Sequence, residues 1–229
     1  NLYERPLMAG KEDMPSEQPW VSEQGKLSLA RHAWGPLFVS SVIPQHAVDT
    51  LRNDVQHNSV RQEYIIGRIR NNYILNDDVV KKYNDLLKNY INSYLKLLLN
   101  MKKVDFQEDK FPLVANIKHM VASTQKRKEY LPRRYLSGDL SFIIFLDGRD
   151  ENDENPLPGG ELPGILTFYD NVSAAQRNII PEKEHISALF SPIRSTVVKP
   201  APGEIYIFPS SLEHGIECFF SKEPCTFIT

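Results

Sequence analysis

The sequence predicts an α+β fold that is mainly β: a sandwich or jelly roll of short strands, buttressed by two N-terminal helices and entered by an extended arm. Three observations carry this. Residues 77–101 repeat apolar side chains at helical spacing, the chain after Phe111 breaks into short β-rich runs between turn residues, and residues 1–30 show no sustained period. At 229 residues the chain is one ordinary domain with an appendage.

The arm, residues 1–32, carries Pro6, Pro15 and Pro19 among scattered charges, a composition for draping over this domain or a neighbour. Leu37 to Ile43 is β-branched and apolar, hence a strand, and Pro44 ends it. Over residues 45–57, Ala47, Val48, Leu51 and Val55 recur at the spacing of a short amphipathic helix. The longer helix, 77–101, can be capped by Asn76 or Asp77, whose side-chain oxygens satisfy the first free backbone amides. Val79, Val80, Tyr83, Leu86, Leu87, Tyr90, Ile91, Tyr94, Leu95 and Leu98 form one wide face for packing against a sheet.

Seven strands are expected after these helices: 113–125, 140–146, 165–169, 196–199, 205–208, 215–220 and 226–229. Pro156 to Gly160, Pro163-Gly164, Pro200 to Gly203 and Lys222 to Pro224 separate them. Asp147 to Asn155 is acidic and polar, the composition of a mobile loop.

Net charge is −2, so the overall field favours neither nucleic acid nor an anionic membrane. The longest apolar cluster, Leu95 to Leu99, is interrupted by Lys96, and no secretory signal is present. Asn1 in place of Met raises the expectation of a lost leader or a trimmed chain, hence of organellar import or maturation within an assembly. Cys218 and Cys225 could pair across a tight hairpin, but two cysteines are no disulfide framework, and free thiols in a reducing compartment are the plainer expectation.

Three segments go beyond generic β texture. Lys126 to Pro132 runs into Ser137-Gly138-Asp139-Leu140-Ser141-Phe142; Pro158-Gly159-Gly160-Glu161-Leu162 precedes Leu166-Thr167-Phe168; and Pro202-Gly203-Glu204 leads through Phe208-Pro209-Ser210 to His214. In this order they resemble the iron(II)/2-oxoglutarate-dependent oxygenases, in particular the prolyl-hydroxylase-like proteins of marine phages and microbes. The resemblance covers residues 33–229, including Trp34 to Phe38, and implies a double-stranded β-helix domain over that span.

That family's chemistry needs two ligands two residues apart on one strand and a distal histidine on another, a facial triad that leaves iron positions open. It also needs a basic side chain on the last strands to pair with the far carboxylate of 2-oxoglutarate. The resemblance puts the distal histidine on His214 and the ligand pair on Arg134 and Leu136. Arginine offers no lone pair and leucine no donor atom. The carboxylate anchor falls near Pro224 or Cys225, with Lys222 two or three residues early. A guanidinium about 4 Å from a divalent cation adds repulsion of about 8 kcal/mol at an effective dielectric near 20. His214, Arg134 and Leu136 therefore stand as relic positions, with no metal and no cofactor expected.

The expectation is a catalytically degenerate oxygenase-like protein, a structural or interaction subunit with protein partners in a larger assembly, without nucleic acid. Such an assembly would be a virion or an organellar membrane complex to which the domain is peripheral. The alternative is an active iron(II)/2-oxoglutarate hydroxylase whose His214 is joined by His119 and by Asp139 or Glu161. A third reading keeps a small-molecule pocket with a mouth lined by Tyr130, Tyr135, Phe142 and Tyr206. For His119 a satisfied strand histidine, for His185 a solvated loop and for Asp139 a structural place are the plainer expectations. Lys126, Arg127, Lys128, Arg133 and Arg134 form either a solvated rim or a cationic patch for an acidic partner, lipid head group or phosphate.

Overall fold

The computed structural model describes residues 28–30, 37–63, 66–101, 115–148, 164–169, 195–218 and 223–229. The remainder of the arm, Trp34 to Pro36, Glu161, His185, Lys222 and residues 149–155, singled out above, lie outside the described residues. The first strand, β1 (Ser28–Ala30), lies within the segment expected as an arm and pairs antiparallel with β2 (Phe38–Val42).

Helix α1 (Gln45–His57) starts where Pro44 fixes the backbone, and the Pro44 carbonyl accepts from Ala47 N and Val48 N. It buries Ala47, Val48, Leu51 and Asp54. A hairpin of β3 (Ser59–Gln62) and β4 (Asn71–Leu75) follows. Helix α2 (Asp77–Met101) opens with Asp77 and Asp78 against the positive end of its dipole, and the Asn76 carbonyl accepts from Val79 N and Val80 N. Tyr90 and Tyr94 donate their hydroxyls to the carbonyls of Val42 (3.3 Å) and Leu37 (3.0 Å), which docks α2 on the β2 region. No helix among the described residues is long and apolar enough to cross a membrane.

Eight further strands complete two sheets: β5 (Val121–Gln125), β6 (Leu131–Arg134), β7 (Leu140–Phe145), β8 (Leu166–Tyr169), β9 (Ser195–Val198), β10 (Glu204–Pro209), β11 (Glu213–Ile216) and β12 (Cys225–Ile228). The large sheet runs β1-β2-β10-β7-β12-β5-β4-β3 and the small one β6-β11-β8-β9, antiparallel throughout. From β5 onward the pairing is nested: β5 with β12, β6 with β11, β7 with β10, β8 with β9.

Side-chain alternation sorts the large sheet's residues to two buried faces. Val39, Phe142, Ile144, Ile205, Ile207 and Ile228 pack with the helices. Phe38, Ile143, Phe145, Tyr206, Phe208 and Phe227 instead meet Leu131, Leu166, Phe168 and Ile216 of the small sheet. The molecule is thus a mainly-β α+β fold layered as helices, large sheet and small sheet.

Both helices coincide with the spans expected from periodicity. The strand expected over 113–125 is shorter: 115–120 has no regular structure, because Ile117 N donates to Asn84 Oδ1 of α2 and the Met120 carbonyl accepts from Leu75 N. The strand expected over 215–220 starts and ends earlier, as β11. Asp147 is no loop residue free of ties. Its carboxylate accepts from Thr226 N (3.0 Å) and pairs with Arg52 (3.2 Å), whose guanidinium also donates to the Leu146 carbonyl. The hairpin β3–β4 was not among the strands expected, and the strand implied by the resemblance at Arg134 and Leu136 is β6, which ends at Arg134. Cys218 is partly buried and Cys225 buried, and the two are not joined by a disulfide.

Asp54 ties the two helices together. Its carboxylate accepts from Lys82 Nζ (2.9 Å), the Tyr83 hydroxyl (2.9 Å) and Asn58 Nδ2 (2.8 Å). Burial opposes ionisation, but the Lys82, Asn58 and Tyr83 hydrogen bonds outweigh it and hold the carboxyl below its usual range. Asp54→Ala strands the buried Tyr83 hydroxyl, so we expect a loss of about 2 kcal/mol in urea unfolding, with Asp49→Ala, at an exposed position, nearly neutral.

Candidate functional site

The site grows from an irregularity in the small sheet. His214 pairs with Arg134 and Ile216 with Leu131, so Gly215 alone stands opposite both Pro132 and Arg133, a β-bulge. Pro132 is tolerated because β6 is an edge strand, where a missing amide breaks no ladder. A Cβ on Gly215 would lie 3.1 Å from the Leu131 carbonyl oxygen and 3.4 Å from Arg133 N, so glycine lets the bulge close. The extra residue re-aims the chain. Leu131 and Arg134 both fall on the face of Ile216 and His214, since directly paired residues project to one side. Arg133 is turned away, and its guanidinium lies 3.8 Å above the ring of Tyr169.

His214 is fully buried. Its Nδ1 lies 3.1 Å from the Leu212 carbonyl, which can only accept, so Nδ1 carries the proton and Nε2 presents a lone pair. Nε2 is buried without a hydrogen-bond partner among the described residues. The ring lies edge-on to Phe208 (5.0 Å between centroids) and tilted to Phe168 (6.4 Å). Burial lowers its pKa, the Leu212 carbonyl opposes this, and the Arg134 cation lowers it further, to about 4.

From His214 an aromatic chain crosses the space between the sheets. Phe168 stacks on Phe38 at 4.5 Å and meets Phe208 edge-on at 5.1 Å; Tyr206 lies 6.4 Å from Phe168 and 6.2 Å from Phe145, which lies 5.8 Å from Phe227. Leu136 packs against the same cluster while its amide donates to the Ser210 carbonyl (3.2 Å).

The other residues singled out from sequence are scattered. Pro224 is exposed, whereas Cys225 is buried between the sheets with Sγ 3.6 Å from the Asp147 carbonyl. Asp139 has an exposed side chain, and its carbonyl accepts from Ser210 N. His119 is exposed in the irregular segment before β5, not on a strand. Among the described residues no three His, Cys, Asp or Glu side chains come together as a metal-holding group. Of the suggested mouth-lining residues only Tyr206 joins the inter-sheet cluster. Phe142 faces the helices, Tyr135 is exposed, and Tyr130 lies under Arg68.

The five expected cations do not form one patch. Lys126, Arg127 and Lys128 stand exposed on the β5–β6 turn, Arg133 covers Tyr169 on the outer face, and Arg134 lies beside His214. Sequence reading missed Arg68 and Arg70, exposed on the neighbouring turn, because only the β4–β5 pairing brings them alongside.

These residues do not fit a divalent iron. One neutral imidazole lone pair faces a strand position held by a guanidinium, and Leu136 adds no donor.

The buried histidine makes a stability prediction. The unfolded chain binds this proton near pH 6.5 and the folded one only near pH 4. The unfolded state therefore holds more protons between these values, and stability falls as pH drops from 6.5 to 4, by about 3 kcal/mol in all. His214→Leu removes this contribution, so its unfolding free energy should lose less than wild type across that window in urea titrations at stepped pH. Parallel curves would contradict the assignment.

No family model matches the chain, and no curated protein matches it. Solved structures similar to it include a Pseudomonas putida prolyl-4-hydroxylase, at 11% identity over 86% of this chain and 91% of that one, TM-score 0.48. A 2OG-Fe(II) oxygenase family oxidoreductase from Burkholderia pseudomallei gives 9%, 82%, 83% and 0.49. The viral collagen prolyl hydroxylase of Paramecium Bursaria Chlorella virus-1, a 2OG complex, gives 12%, 83%, 93% and 0.42. All three are oxygenases or hydroxylases by name, each at 12% identity or less to this chain.

Proposed function

We propose that this chain is a catalytically degenerate 2-oxoglutarate-oxygenase-like protein with a jelly-roll domain, acting as a structural or interaction subunit of a larger assembly. The observation that carries the reading is the pairing of Arg134 with His214 on the inter-sheet face. A facial triad needs a second and third lone pair near that point; a cation and an aliphatic side chain occupy the two positions instead. The nested pairing β5–β12, β6–β11, β7–β10 and β8–β9 supports the jelly roll, in which outer strands enclose inner ones in turn.

Two further features support loss of chemistry. The inward residues of β12, Cys225 and Phe227, are buried among aromatic rings and offer no cation for a far carboxylate. The aromatic chain from Phe38 to Phe227 packs the space between the sheets beside His214. With the interior given to packing, the surface is what remains for recognition, and protein partners are the reading that follows.

Native protein is expected to hold well under an equivalent of iron(II) and to form no succinate when given iron(II), 2-oxoglutarate and oxygen. Stoichiometric iron or succinate would overturn the proposal and revive the hydroxylase alternative. The double variant Arg134→His, Leu136→Asp should gain iron affinity, read by calorimetric titration, without turnover, since no cation faces inward from β12. Turnover by that variant would count against the argument from β12.

A further inference from the structure

Two tight turns meet at one end of the large sheet. Asn71 pairs with Thr124, so the segment before β4 runs beside the β5–β6 turn. Arg68 N donates to the Tyr130 carbonyl (3.2 Å), and the Arg68 guanidinium lies 5.5 Å from the Tyr130 ring centroid. A Cβ on Gly67 would fall 2.1 Å from Pro132 Cδ, so the turn is pressed against the segment that follows. Arg68, Arg70, Lys126, Arg127 and Lys128 are all exposed here.

The β5–β6 turn is closed by hydrogen bonds. Glu129 N donates to the Lys126 carbonyl, Lys126 N donates to Glu129 Oε2, and Gln125 Nε2 donates to the Glu129 carbonyl (2.6 Å). The one acid in the turn is therefore engaged by backbone rather than by a cationic side chain. Among the described residues the ion pairs are Asp49–Arg52, Asp147–Arg52, Asp78–Lys81 and Asp54–Lys82, and none uses the five cations. Lys128 has φ +65°, left-handed backbone that glycine or asparagine adopts at lower cost. A lysine held there against local preference points to use of its charge.

We propose that this cationic end is the docking surface for an acidic segment of a protein partner. The inference rests on the reading of the chain as an interaction subunit and names the surface and the partner chemistry. Adjacent strands lie about 5 Å apart, so two neighbouring turns present a compact patch matched to a few carboxylates. Nucleic acid or an anionic bilayer would meet a longer surface, and the chain's net charge of −2 opposes both away from the patch. The two planar arginines suit bidentate carboxylates, and Arg68 is already oriented by Tyr130.

The test is fluorescence anisotropy of a labelled Glu/Asp-rich peptide with the full chain, beside labelled duplex DNA and phosphatidylserine vesicles at the same salt. The peptide should bind in a salt-sensitive manner. The triple change Lys126→Glu, Arg127→Glu, Lys128→Glu should weaken it at least about tenfold, as should the separate pair Arg68→Gln, Arg70→Gln. Lys128→Gly relieves the left-handed backbone, so it should raise the melting temperature while weakening the peptide about threefold. No peptide binding by wild type, unchanged binding by folded variants, or tighter binding to DNA or vesicles would overturn the proposal. Succinate formation would instead refute the non-catalytic reading and leave the peptide result standing, so the two failures are distinguishable.

Discussion

Burial of the large sheet on both faces is the constraint from which the remaining architecture follows. Strand β7 sends Phe142 and Ile144 to the helices and Ile143 and Phe145 to the small sheet; β10 does the same with Ile205 and Ile207 against Tyr206 and Phe208. Each such side chain gains about 1.5–3 kcal/mol only if its face is covered. Removing either outer layer would expose a row of them. The helices and the small sheet are therefore both obligatory; Asp54 ties the helices to each other, and Tyr90 and Tyr94 tie α2 to the β2 region.

The small sheet inherits its geometry from that demand. It must offer apolar residues inward along its length, and β6, with Pro132, Arg133 and Arg134 in sequence, cannot do so by plain alternation. The bulge opposite Gly215 resolves this. It keeps Leu131 inward, turns Arg133 out onto Tyr169, and leaves Arg134 on the inner face beside His214. Arg134 is only partly buried, so its charge keeps some contact with solvent while its field reaches the imidazole.

What sequence made legible follows from the same physics. The helices were plain because one face of each is buried and the other wet, giving a clean period. Strands β7 and β10 were plain because two-sided burial makes them continuous apolar runs. The hairpin β3–β4 was hidden because β3 is an exposed edge, and because buried Asn72 of β4 is polar, satisfied by Ser123 Oγ and the Ile69 carbonyl. Strand β6, with a proline and two arginines, lacks the apolar run that marks β7 and β10. A motif pointed to His214, but the bulge that sets Arg134 beside it is a matter of register, which no local sequence carries. Arg68 and Arg70 were missed for a like reason, since they join Lys126 to Lys128 only across β4–β5 pairing.

The proton at His214 bears on the metal question. It is the smallest cation that could take the Nε2 lone pair, and burial together with Arg134 already disfavours it, lowering the pKa to about 4. A divalent ion would feel the same guanidinium field with twice the charge. It would also lack the two further lone pairs that offset dehydration in a facial triad. A neutral imidazole donating to Leu212 between Phe208 and Phe168 meets neither difficulty, because an edge-on ring packs well against aromatic faces. The Nε2 lone pair, an acceptor without a hydrogen-bond partner among the described residues, costs about 1–3 kcal/mol there.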